Sequence, residues 1–146
     1  MAVLTQGEVD SLVAELGPRL ENLEEFGMSI YKELFTAHPE YITLFSKLQG
    51  LTLDNVMQSE GIKYYGRTLA TELKLIVTNA ANASELEAIL VKNSKDHSTR
   101  NVTSDQFLSG EPVFVKYFNE LLTKDENKAA MEKLLKHAMP AIASKI

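Results

Sequence analysis

The chain has no cysteine and no tryptophan, and only 4 prolines and 7 glycines among 146 residues. Without cysteine there is no disulfide framework, no thiolate zinc site and no cysteine nucleophile. Lack of thiols fits a reducing compartment, so a cytoplasmic location is expected. Basic residues are the minority, 15 Lys and Arg against 20 Asp and Glu, giving a net charge of -5. They form no block, which speaks against a nucleic-acid partner. No stretch approaches the roughly 18 apolar residues of a membrane span. The start, MAVLTQGEVD, lacks the basic flank and apolar run of a secretory signal. Sustained polar–apolar alternation is missing too, so the sequence predicts no strands.

What is present is helical periodicity. Hydrophobic residues make up 45% of the chain and charged ones 24%, the balance of an ordinary globule. The length suits one domain with a sizeable core, residues 1–146. Thr5 and Glu8 form a capping box ahead of Val9, Leu12, Val13, Leu16 and Leu20. Gly17-Pro18 is expected to break that helix, with Pro18 in the first turn of the next. The second helix should carry Leu23, Gly27, Ile30, Tyr31 and Leu34 inward and end at His38-Pro39. After a turn through Tyr41, Leu44 and Phe45 and a looser LQGLTLDN, a helix is expected from about Asp54 to Asn79. Its apolar face is Ile62, Tyr65, Leu69, Leu73 and Ile76. Ser84 with Glu87 reads as the capping box of the following helix, and Thr103 with Gln106 as that of another. The latter holds Phe107, Phe114 and Phe118, with Pro112 as an internal irregularity. Met131, Leu134, Leu135, Ala138 and Ile142 line the last helix. The fold class is all-α, with roughly seven helices.

Among the three histidines, His137 lies opposite the last apolar stripe and reads as solvated, while His38 sits at a helix end in a structural role. His97 alone faces inward, on a stripe with Leu86, Leu90 and Asn93. It is either a core histidine satisfied by protein groups or a ligand aimed into a cavity. No second histidine stands at metal-binding spacing, and no nucleophile–base pair stands out. Tyr31 and Tyr65 interrupt aliphatic faces on different helices. A buried phenol needs a hydrogen-bond partner, so each either reaches a neighbour or gives a cavity its polar end. Gly27 and Gly66 stand mid-helix, at a cost of about 1 kcal/mol each relative to alanine. A close crossing of the two helices would explain both.

These stretches resemble the globins. YKELFTAHPEYITLF is similar to the globin second helix and its proline corner, SEGIKYYGRTLATEL to the distal helix, and KDHSTRNV to the proximal histidine and its exit. They fall in family order across the whole chain. The resemblance implies a globin fold of roughly seven to eight helices around haem b (Fe-protoporphyrin IX). It makes His97 the iron ligand and Phe45 the haem-stacking ring. Tyr65 then stands at the distal position, where histidine is usual, and Leu69 where valine is usual. Val102 and Phe107 become proximal haem contacts, and Tyr31 and Tyr65 the residues facing oxygen. The tyrosine pair most resembles the haemoglobins of parasitic flatworms (trematodes). Asn93 departs from the family pattern, since leucine commonly fills that turn.

The resemblance thus implies a non-enzymatic protein that binds O2 and other diatomic gases, with high oxygen affinity and slow release. Nothing reads as an interface, so a monomer is expected. The runner-up is a haem enzyme on the same scaffold, a nitric oxide dioxygenase or a peroxidase-like protein. A haem-free helical interaction domain is a third possibility, and Tyr65 as a phenolate ligand of ferric iron is an internal alternative.

Overall fold

The computed structural model describes residues 2–146, and among them every regular element is helical. The seven α-helices are α1 (Gln6–Leu20), α2 (Leu23–Ala37), α3 (Glu60–Thr78), α4 (Ala83–Ser98), α5 (Ser104–Ser109), α6 (Glu111–Leu121) and α7 (Asp125–Ala143). Short 3-10 turns at Pro39–Leu44, Ser46–Leu48 and Val56–Gln58 carry the chain from α2 to α3.

Several boundaries differ from the sequence expectation, each for a local reason. Pro18 does not open α2 but lies within the last turns of α1. Only one backbone bond is lost there, while Leu16 and Leu20 remain buried on the stripe begun by Val9 and Leu12. Asn22 then caps α2 by accepting from the Glu25 amide. The third helix starts at Glu60 rather than near Asp54, because the Ser59 hydroxyl takes the Ile62 amide at 3.2 Å. Asn82, not Ser84, caps α4. Its side-chain oxygen accepts from the Glu85 amide at 3.2 Å and from the Ser84 hydroxyl at 3.1 Å. The Pro112 region is two helices, since the chain resets at Gly110 and the proline occupies the first turn of α6. The Thr5–Glu8 and Thr103–Gln106 capping boxes form as expected.

Helix α7 packs against α1, α4, α5 and α6, while α2 crosses α3 in the most extensive pairing. That crossing rests on the two glycines. A Cβ placed on Gly27 would lie 1.7 Å from the Gly66 carbonyl oxygen, and one on Gly66 would lie 2.9 Å from the Met28 amide nitrogen. The opposing atoms are backbone and cannot swing aside. The apolar side chains form two clusters. The larger joins α1, α2, α3, α4, α6 and α7, and the smaller gathers Phe35, Ile42, Leu48, Val56, Ile62 and Tyr65.

A polar pin closes the corner between α1 and the α6–α7 turn. The Glu15 carboxylate accepts from the Asn127 side-chain amide at 2.8 Å and from both the amide and the hydroxyl of Thr123. The bond from Asn127, then that from the Thr123 amide, lowers the Glu15 pKa to about 2.

Two outcomes are expected. Gly27→Ala should lose roughly 3 kcal/mol or more in denaturant unfolding, since overpacking against backbone outweighs the usual gain of alanine in a helix. At Glu15 the folded-state value lies below the ordinary 4.5, so the stabilisation is complete above pH 4.5 and is lost as pH falls toward 2. Glu15→Ala should therefore be less stable by roughly 1 kcal/mol at pH 7, after discounting for solvent screening, and the gap should narrow in urea titrations near pH 2.

Candidate functional site

The two apolar clusters do not meet everywhere. Between them lies a slot lined mostly by apolar side chains, the usual character of a small-molecule or cofactor site. Tyr31, Tyr41, Leu44 and Phe45 form one wall. Leu69, Leu73 and Ile76 of α3 form a second, and His97, Val102 and Phe107 with Leu135, Ala138, Met139 and Ile142 of α7 close the rest. A more polar hollow shares Tyr31, Leu44, Phe45, His97 and Val102 and opens past Thr43, Ser46, Gln49, Tyr65, Thr99 and Arg100. Phe45, Leu69, Val102 and Phe107 stay only half-buried because they face the slot rather than one another.

His97 reaches the slot from the last turn of α4. Its Nδ1 lies 2.9 Å from the Asn93 backbone carbonyl. A carbonyl only accepts, so Nδ1 carries the proton and Nε2 keeps its lone pair. Burial lowers the pKa of His97, and the positive charge of Arg100 acts the same way against the Asn93 hydrogen bond, which raises it. The ring is therefore held neutral, the form that binds a metal. Phe107 meets it edge-on with ring centroids 4.8 Å apart. Past the helix, Asn101 takes a left-handed φ of 59°, which asparagine tolerates, and this turns Val102 back toward the slot. The other histidines stay outside: His137 is exposed, and His38 stacks on Tyr41 at 4.7 Å beside Glu40.

Opposite His97 stands a cluster of aromatic rings. Tyr31 stacks on Phe35 at 5.5 Å, and Phe45 meets Tyr31, Phe35 and Tyr65 edge-on at 5.4, 5.4 and 4.9 Å. The two phenols differ in their partners. The Tyr65 hydroxyl accepts from the Lys47 backbone amide at 3.2 Å and lies 3.3 Å from the Ser46 hydroxyl. The Tyr31 hydroxyl has no partner among the described residues, although burial pushes its pKa up, opposed by Arg100 and reinforced by Tyr65. The pair therefore shares one hollow, but only Tyr31 is a donor with nothing to donate to.

The slot suits a flat, largely apolar cofactor with one metal ligand and an acidic rim. One lone pair, at His97, faces an interior of aliphatic and aromatic groups, and the mouth gathers hydroxyls, an amide and the Arg100 cation. Among the described residues no group of three or more His, Asp or Glu could hold a bare metal ion. Sequence reasoning placed Phe45, Leu69, His97, Val102 and Phe107 here. It took Leu135, Ala138 and Ile142 for plain core, because an apolar stripe looks the same against protein or cavity. Asn93 stood out on the inward stripe and as a departure from the globin pattern but was given no role, and Arg100 lacked any signal beyond its neighbourhood to His97.

Comparison with known proteins agrees with this architecture. A family model described as Globin matches residues 28–142. A globin of Isoparorchis hypselobagri is 43% identical over 148 aligned positions, spanning 99% of both chains. One of Dicrocoelium dendriticum is 46% identical over 143, spanning 96% of this chain and 94% of its own. Both are trematode proteins. A crystal structure of ferric Aplysia limacina myoglobin superposes with a TM-score of 0.83 at 24% identity, covering 97% of this chain and 98% of that one.

Removing the Tyr31 hydroxyl should not harm the fold. Tyr31→Phe is expected to leave the thermal midpoint of the haem-free protein unchanged or higher, because a desolvated donor without a partner is lost. Tyr65→Phe should lower that midpoint, since the Lys47 amide loses its acceptor.

Proposed function

The chain belongs to the globin family, and from that premise we propose that it binds haem b and holds oxygen tightly through a tyrosine hydroxyl. The observation that carries this reading is that the residues with the unpartnered Tyr31 hydroxyl and the open His97 nitrogen line one largely apolar slot. Haem, when bound, supplies an iron that takes up oxygen reversibly and shifts negative charge onto it. The residues of the chain do the rest. His97 would ligate the iron through Nε2, with its Nδ1 proton fixed on the Asn93 carbonyl. Phe45, Leu69, Val102 and Phe107 would hold the apolar faces, and Arg100 with its polar neighbours would meet the carboxylates at the rim.

Tyr31 would donate to the gas and so favour oxygen over an apolar diatomic such as carbon monoxide. A hydrogen bond to a charged acceptor is worth roughly 1.5–3 kcal/mol. At about 1.4 kcal/mol per decade, that slows oxygen loss by roughly ten to a hundredfold. Tyr65 contributes less, because its oxygen already accepts from Lys47. Such affinity suits storage or scavenging at very low oxygen better than bulk transport.

Binding is favoured over peroxidase-like turnover by the Tyr31 side of the slot: a phenol whose pKa burial has raised keeps its proton at neutral pH, whereas such turnover calls for a group that passes protons. A monomeric cytoplasmic protein is in keeping with the net charge of -5, the lack of cysteine and the few large exposed apolar side chains, Leu53, Tyr64 and Leu75. No described helix is long and apolar enough to cross a membrane.

The purified protein should show a Soret band that His97→Ala loses. In stopped-flow measurements Tyr31→Phe should release oxygen roughly tenfold to a hundredfold faster, and Tyr65→Phe by a smaller factor. Equal, unchanged rates in both variants would refute the tyrosine reading. Nitric oxide consumption sustained by an external reductant would favour the enzyme instead.

A further inference from the structure

Asn93 stands one turn before His97 on α4, is 8% exposed and lines the slot. Its backbone carbonyl serves His97, yet its carboxamide hydrogen-bonds to no described residue. The two other buried polar side chains are satisfied. Ser94 reaches the Leu90 and Ile142 carbonyls, and Asn127 bonds to Glu15 and Ser11. Nor is the Asn93 amide sealed inside the protein. The only fully enclosed side-chain polar atom without a partner among the described residues is Glu111 Oε1, so neither end of the Asn93 amide is fully enclosed, and the residue lines the slot.

The slot it lines is mostly apolar, with Ile76, Leu135, Ala138 and Ile142 in its wall, and Glu72, Gln106 and His97 are polar members of the same lining. An apolar cavity stays dry and accepts apolar atoms such as xenon, whereas a polar group converts it into a site for water. A carboxamide presents a donor and an acceptor on the two atoms bonded to one carbon, two of the two to four contacts an enclosed water makes.

We propose that Asn93 turns the His97 side of the slot into a binding site for a small hydrogen-bonding molecule, water, and closes that side to apolar gases. The gas-binding volume is thereby confined to the Tyr31 side. A leucine in place of Asn93 has nearly the same shape without the hydrogen bonds, so it would reopen the His97 side to oxygen and to xenon.

The inference rests on the proposed haem site only in that the slot is filled when tested. The test uses the haem-loaded, carbon monoxide-bound protein, whose Soret band reports separately on that reading. Oxygen-17 relaxation dispersion counts long-lived internal waters, and Asn93→Leu should have one fewer than the parent. Under xenon pressure the parent should show no xenon in contact with Asn93, and Asn93→Leu should gain a site there. Equal water counts in the two proteins, or xenon seated against Asn93 in the parent, would overturn the proposal while leaving the Soret result standing.

Discussion

The backbone contact between Gly27 and Gly66 is the constraint on which the rest of the structure depends. No side chain separates α2 from α3 at that point, so the two helices cross at the distance set by their main chains. Tyr31 follows one turn after Gly27, and Tyr65 directly precedes Gly66. The crossing therefore delivers both phenols to one hollow with the Phe45 ring between them. A wider crossing would let the two apolar clusters spread into each other, and the slot would be lost. The cost of two mid-helix glycines is thus offset by the geometry of the functional site.

The site is marked less by what its residues do than by what two of them leave undone. Nearly every buried polar group in a folded protein finds a partner. In this protein Ser94, Asn127 and Tyr65 all do so, and each is structural. Tyr31 and Asn93 do not, and both border the slot, Tyr31 across it from His97 and Asn93 one turn before it. Each is a donor held in place by packing, so little reorganisation is needed when a polar species arrives. His97 shows the complementary pattern. One nitrogen is committed to the Asn93 carbonyl, which leaves the other open and the ring neutral.

How legible this was in the sequence depended on the range of the interactions. The capping boxes at Thr5 and Thr103 and the stop at His38-Pro39 are local, and they formed as the residues predicted. Pro18 misled because a proline near a helix end costs one bond, less than burying Leu16 and Leu20 returns. Ser84 misled because Asn82 offered an equally good cap two residues earlier, and the serine then served as its donor. The helix face placed Tyr65 inward correctly. No periodicity could say that its hydroxyl would find the Lys47 amide, which lies eighteen residues away on a 3-10 segment.

By itself, the sequence determined the all-helical class, the order of the helices and the inward stripe ending at His97, and three of its stretches resemble the globins. The helices and the stripe follow from spacing along one chain, where helical geometry converts position into direction. Only the tertiary structure decided which inward groups would be satisfied. It left Tyr31 and Asn93 without partners, tied Tyr65 to Lys47 and set Leu135, Ala138 and Ile142 of the last helix both in the core and along the slot. Hydrogen-bond satisfaction is a property of neighbours brought together across the fold, and neighbours distant in sequence leave no periodic trace in it.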